Sequence, residues 1–251
     1  MSTSKYSAKW ENDEVNIDVP YSVAGVSTTA IVTSKFTGKM LLFDVGDGAV
    51  RDLLSSGNFD FVNDIDLIVI SHGHFDHMGG LWTMLGFMRM LKRTSALNII
   101  IPNGCSEVIS IVKGFKESYF ETLTFHISVH QMQHGSGFDT DFFKLKAQGV
   151  EHYGTENRSA DDILMPAFGY QVKIGDTSVA YTGDSRMCPS LEFLVKDADI
   201  AIIEATHEQH PEPQRRVHLT VDEAKKLGSM AKEFILIHTK HFAAKSVVSG
   251  F

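Results

Sequence analysis

The string Ser71-His72-Gly73-His74-Phe75-Asp76-His77 places three imidazoles and one carboxylate within six residues, using three of the chain's twelve histidines. Imidazole nitrogen and carboxylate oxygen are ligands for divalent transition metals, and four such groups so close together point to a metal site rather than an incidental polar loop. In extended or tightly turned backbone, residues i and i+2 project to one side, so His72 and His74 can converge on one ion. Asp76 and His77 can then face a second, with Gly73 permitting the tight loop. Further histidines near an expected strand end, His130, His134 and His152, compete as additional ligands. His130 and His134 rank lower because they precede a glycine-rich loop and the next strand.

A ligand loop of this kind needs a rigid frame. Residues 66–71, DLIVIS, form a compact apolar run of strand length that leads straight into the histidines. Before it, residues 28–33 and 40–44 read as a hairpin across Thr37-Gly38-Lys39, and residues 49–56 have helical spacing, stopped by Gly57. After it, residues 80–93 predict a helix apolar nearly all round and therefore buried. Residues 97–101 and 106–116 predict a strand and a helix, and residues 123–129 and 142–150 are extended. Residues 168–181 divide into two strands at Gly175-Asp176, and residues 199–204 form another buried strand. Thr220-Val221-Asp222-Glu223 is a capping box opening a helix to about Lys232, and residues 234–237 form a last strand. Strands alternate with helices, yet several are joined as hairpins, which predicts a layered α/β protein with mixed sheets.

With 251 residues and no linker-like tract, the chain is expected to be one domain, 1–251, with residues 1–20 a loose polar end. Lys and Arg number 23 against 31 Asp and Glu, a formal charge of −8, which disfavours a general polyanion binder carrying excess positive charge. Cys105 and Cys188 are too few for a disulfide framework and have no adjacent base, so neither is assigned a catalytic role. No apolar run has the length of a signal peptide core or a membrane span, and a cytoplasmic location is expected, with no membrane partner. Trp82, Met84, Phe87, Met88 and Met90 form a stripe suited to the core or to a dimer face.

The HxHxDH pattern resembles the signature of the metallo-β-lactamase-fold hydrolase superfamily, over residues 28–242. That resemblance implies an αββα sandwich with two mixed β-sheets and a metal centre at the sheet edges. It makes His152 the third ligand of a first metal with His72 and His74, places His238 with Asp76 and His77 on a second, and makes Asp184, in Tyr181-Thr182-Gly183-Asp184, the bridge. Asp44, in Phe43-Asp44-Val45-Gly46-Asp47-Gly48, matches the aspartate that supports the histidine loop from behind. Two divalent cations, zinc first and manganese or iron next, would acidify a shared water to hydroxide at neutral pH.

Within the superfamily, Glu204-Ala205-Thr206 followed by His218-Leu219-Thr220 resembles the late motifs of the ribonuclease Z branch, as does Ala167-Phe168-Gly169-Tyr170. This implies a phosphodiester substrate, RNA among them, with Glu204 orienting His218 as proton donor and Asp76 also catalytic, and it implies a homodimer. The sequence departs from that branch in three ways. Residues 153–183 are too few for the long tRNA-clamping arm, Ile203 replaces the histidine before Glu-Ala-Thr, and Thr239-Lys240-His241-Phe242 lacks the usual Ser-x-Arg-Tyr. A lactonase or thioester hydrolase would use the same metals without Glu204 and His218. The stretch from Ser71 to Leu81 also resembles the dihydropterin-synthase-like branch, against which the two late motifs argue.

Overall fold

Several strands of this chain are apolar at consecutive positions, which is stable only when both faces of a sheet are covered. The computed structural model, which describes residues 6–55, 59–153, 164–209 and 217–239, shows how. Seven strands form one sheet in chain order: β1 (Ala8–Glu11), β2 (Val15–Val23), β3 (Ser27–Ser34), β4 (Met40–Phe43), β5 (Ile65–Val69), β6 (Leu97–Pro102) and β7 (Ile127–Met132). The first four pair antiparallel and β4 to β7 pair parallel. The second sheet runs β8 (Gly137–Asp139), β9 (Lys144–Gly149), β10 (Phe168–Ile174), β11 (Thr177–Tyr181), β12 (Ile200–Glu204) and β13 (Glu233–Ile237). It is antiparallel as far as β11 and parallel beyond.

Side chains alternate across these strands. Leu41, Phe43, Leu67, Val69 and Ile100 point into the core between the sheets, meeting Tyr170, Val172, Tyr181, Ile200 and Ile202 from the other side. Their neighbours Leu42, Ile68, Ile99 and Ile101 face outward, under helices α1 (Ala49–Leu54), α2 (Phe61–Asp64), α3 (Phe75–Met78), α4 (Leu81–Met90) and α5 (Ser106–Ser118). Ala201 and Ile203 likewise pack under α6 (Pro189–Val195) and α7 (Val221–Gly228). The result is the expected αββα sandwich of two mixed sheets. Each fully buried aliphatic side chain contributes about 1.5–3 kcal/mol, so the two-sided strands are the stiffest part of the frame.

Several expectations are corrected. The N-terminal segment is not loose from Ala8 onward: β1 and β2 pair with the sheet, and Val15, Ile17 and Val19 are buried. Helix α4 is not buried all round, since Leu81, Met84, Leu85 and Met88 face the core while Trp82 and Met90 are exposed. The stretch 123–129 becomes strand only at Ile127, and the capping box of Thr220 and Glu223 forms but its helix ends at Gly228. Helix α6, with Pro189 at its first turn, is additional. Gly57 lies outside the described residues.

At one edge the sheets are stitched together by bridges between His72 and Ala167 and between Val23 and Thr239. The loops after β4, β5, β9, β11 and β13 and the end of β12 meet there, bringing Asp44, His72 to His77, His152, Asp184, His238 and Glu204 to one place.

Candidate metal centre

Asp44 anchors the ligand loop. It is fully buried, with φ at 59°, a backbone conformation that non-glycine residues seldom adopt. Its Oδ1 accepts the Ser71 amide at 2.7 Å, and its Oδ2 accepts the hydroxyls of Tyr181 at 2.5 Å and Ser71 at 2.8 Å and the ring Nδ1 of His77 at 2.7 Å. Because Ser71 gives its proton to Asp44, its oxygen accepts from Nδ1 of His72 at 2.9 Å. Both histidines thereby have Nδ1 engaged and Nε2 turned into the site. Nδ1 of His152 donates to the Val217 carbonyl at 3.0 Å, with the same effect. These orientations follow from the hydrogen-bond network.

The inward-facing ring nitrogens converge. His74 Nδ1 lies 3.0 Å from Nε2 of His72 and 3.1 Å from Nε2 of His152. His238 Nε2 lies 3.3 Å from Nε2 of His77 and 3.2 Å from Oδ2 of Asp76, and Asp76 is held in turn by the Gly25 amide at 2.7 Å. Between the two groups stands Asp184, whose Oδ2 is 3.2 Å from Nε2 of His77 and 3.8 Å from Nε2 of His72. The triads His72, His74, His152 and Asp76, His77, His238 each offer ligand atoms within 4.8 Å of one another. His130 instead meets Asn98 at 3.0 Å, and His134 accepts the Gly149 amide at 3.2 Å, so neither joins the cluster.

Nitrogens bound to one divalent ion are spaced about 3–3.5 Å apart, close to the separations found here. Asp184 Oδ1 is buried without a hydrogen-bond partner among the described residues. An orphaned carboxylate oxygen among converging nitrogen lone pairs fits divalent metal.

The electrostatics agree. Burial, reinforced by the neighbouring His77 and His152, pushes His72 well below the ordinary imidazole range, and burial takes His152 down to about 4. Burial also disfavours charge on His77, but Asp184 and Asp44 outweigh it and raise its pKa well above the usual value. The same balance runs the other way at Asp76, where the His238 hydrogen bond and His77 overcome burial and lower it to about 2. The carboxylates favour positive charge at this spot, supplied by proton or by metal.

Behind the second triad lies Glu204, almost fully buried. Its Oε1 accepts Nδ1 of His218 at 3.1 Å, with the Ser185 and Leu219 amides, and its Oε2 accepts the Thr206 hydroxyl at 2.7 Å. The Thr206 oxygen in turn accepts Nδ1 of His238 at 2.8 Å. His218 Nδ1 is 3.7 Å from Asp184, and burial of its ring is outweighed by the Glu204 carboxylate, which raises it to about 9. His218 opens onto a cleft of about 290 Å³ lined also by Gly25, His74, Phe75, Asp184 and His238.

Ser71, Tyr181, Thr206 and Gly25 hold side chains of the cluster in place, and of these only Thr206 has a signal in the sequence, its place in Glu-Ala-Thr. Of the basic residues available to an RNA, Arg93 is buried and donates to the carbonyls of Val62, Ile65, Ser95 and Ala96. Arg215, Arg216, Lys240 and Lys245 lie outside the described residues.

A four-layer αββα sandwich with this histidine and carboxylate cluster at its edge defines a class, and the chain belongs to it: the beta-lactamase superfamily domain matches residues 41–239. Among curated proteins it is similar to the ribonuclease Z of Methanothermobacter thermautotrophicus, with 27% identity across 82% of this chain and 79% of that one. It is also similar to the ribonuclease Z of Pyrococcus abyssi, with 24% identity across 82% and 78%. Among solved structures, the short form of human tRNase Z superposes with a TM-score of 0.72 at 22% identity, covering 90% of this chain and 92% of that one.

Proposed function

We propose that this chain is a metal-dependent phosphodiester hydrolase of the ribonuclease Z kind, acting on RNA or on a smaller phosphodiester. The observation that carries the reading is the Glu204–His218 contact of 3.1 Å beside Asp184. Acyl substrates do not demand such a pair, whereas cleavage of a phosphodiester expels an alkoxide that must be protonated. Glu204 binds Nδ1 and leaves Nε2 to carry that proton, and its negative charge keeps the imidazolium available at neutral pH.

In the rest of the site, His72, His74 and His152 would hold one divalent cation, Asp76, His77 and His238 a second, with Asp184 between them and zinc the first candidate. Such cations supply Lewis acidity and acidify water. The protein's own contribution is to orient His72, His77, His152 and His238 through Ser71, Asp44, Val217 and Thr206, so that these rings need no reorientation at the moment of reaction. The ribonuclease Z relatives support RNA as the substrate class.

Turnover by the zinc-loaded protein on an unprocessed tRNA, a cyclic nucleotide, bis(p-nitrophenyl) phosphate, a lactone and a thioester tests this. Cleavage of phosphodiesters is the expected result, with His218→Ala abolishing it on the tRNA and the cyclic nucleotide, whose leaving alkoxides need a proton, losing less on bis(p-nitrophenyl) phosphate and sparing any lactone or thioester hydrolysis. Activity confined to the lactone and thioester overturns the reading.

A further inference from the structure

Phe75 stands between two ligand-type residues, His74 and Asp76, yet 62% of it is exposed. It opens the single turn of α3, whose next two residues, Asp76 and His77, are buried. The fold therefore does not need this ring: the buried pair fixes the turn, and the aromatic group is left at the wall of the cleft beside Gly25, Asp184 and His218. The turn between β2 and β3 brings Ala24 and Gly25, small residues, to the same cleft, and the space where a side chain of Gly25 would stand is open to 4 Å. Val26, also exposed, adds an apolar edge to that turn.

The cleft thus has two unlike parts. Its floor collects the carboxylates and imidazoles that would hold cations, and so receives an anion. Its rim offers one exposed flat apolar ring, with small residues lining the same cleft. A ligand that satisfies both carries a phosphate with a planar unsaturated group close by, which is the chemistry of a nucleotide. We propose that Phe75 is a stacking platform for the nucleobase adjoining the scissile phosphate and sets the preference of the site for nucleoside over alkyl phosphodiesters. The inference rests on the phosphodiesterase reading for its catalytic meaning but not for its binding measurement. A protein partner covering Phe75 is the rival outcome.

Calorimetric binding of adenosine 5′-monophosphate and of inorganic phosphate to the zinc-loaded protein tests this in the wild type and in Phe75→Ala, Phe75→Leu and Phe75→Trp, with metal content measured for each. Stacking predicts that Ala and Leu weaken the nucleotide about tenfold, equivalent to about 1.4 kcal/mol, that Trp retains it, and that phosphate binding changes less than twofold. Unchanged nucleotide affinity, or equal losses for nucleotide and phosphate, overturns the platform. In turnover, the preference for thymidine 5′-p-nitrophenyl phosphate over methyl p-nitrophenyl phosphate should fall about tenfold in KM for Phe75→Ala, and an unaltered ratio overturns it. If the wild type binds the nucleotide through Phe75 but cleaves neither ester, the hydrolase reading fails and the platform stands.

Discussion

Thr206 Oγ1 lies 2.8 Å from Nδ1 of His238, and its proton goes to Glu204 at 2.7 Å. The same arrangement occurs on the other sheet, where the Ser71 hydroxyl links His72 to Asp44 at 2.9 and 2.8 Å. In both, a buried carboxylate sets a histidine tautomer through an intervening hydroxyl. Glu204 consequently serves two imidazoles at once, His218 directly and His238 through Thr206. Removing the relay in Thr206→Val leaves Nδ1 of His238 without its acceptor, and metal affinity should drop about 10–100-fold, the usual cost of losing such support. Thr206→Ser should restore it. Competition with a chromophoric chelator measures this, and a Val variant with wild-type affinity would remove Thr206 from the site.

Asp44 accepts four hydrogen bonds, two from Ser71 and one each from Tyr181 and His77. In Asp44→Asn an amide donor replaces a fully buried acceptor that faces three side-chain donors. The expected loss is about 2–4 kcal/mol in urea unfolding of the metal-free protein. Tyr181→Phe removes one donor and keeps the ring stacked on Phe43 at 4.6 Å, so it should cost less, about 1–2 kcal/mol. Equal costs for the two substitutions would show that the network is not centred on Asp44.

His72, His74, Asp76 and His77 are legible in the sequence because four ligand types are packed into one loop behind an apolar strand. His152, Asp184 and His238 are single residues, and their place depends on strand ends meeting across two sheets, which local pattern does not contain; only the family resemblance brings them in. Ser71 and Tyr181 are not legible at all, since a hydroxyl acquires its role from the acceptor it reaches, and Asp44 is 27 and 137 residues away. The frame shows a similar division. Strands covered on both faces read as apolar runs, whereas β2 hides Val15, Ile17 and Val19 among Asn16, Asp18 and Pro20, with an irregularity in pairing between Asp18 and Tyr21. Trp82 and Met90 mislead in the opposite sense, because apolar composition does not say which side of α4 lacks a neighbour.

Gly183 precedes Asp184 with φ at 57°, and a Cβ there would stand 2.7 Å from Cβ of Ser71 and 3.1 Å from the Phe168 carbonyl. Both the backbone conformation and the contact oppose a side chain. Gly183→Ala should therefore destabilise the protein by roughly 1–3 kcal/mol, with a fall of about 2–4 °C in Tm per kcal/mol for a chain of this size. Displacing Ser71 or Asp184 would also lower metal content. A variant that melts with the wild type and holds its metal would show that the loop relaxes freely.

The Glu204 carboxylate raises His218 to about 9 in the metal-free protein, against an ordinary imidazole value of 6.5. Because the folded value lies above the unfolded one, the interaction stabilises the fold fully below pH 6.5 and is lost as pH rises toward 9. For catalysis the protonated ring is the active form, so turnover should fall on the alkaline side, and cations at Asp184 would move that limb to lower pH by opposing the charge on His218. Glu204→Gln removes the carboxylate and should shift the limb further in the same direction while lowering kcat. His218→Ala should abolish the limb together with most of the activity on unactivated phosphodiesters, and lose less on p-nitrophenyl esters, whose leaving group needs no proton. NMR titration of the His218 ring in metal-free wild type and Glu204→Gln supplies the independent check. The expected result is a lower pKa in the variant, and a pKa that does not move would detach Glu204 from the proton-donating role.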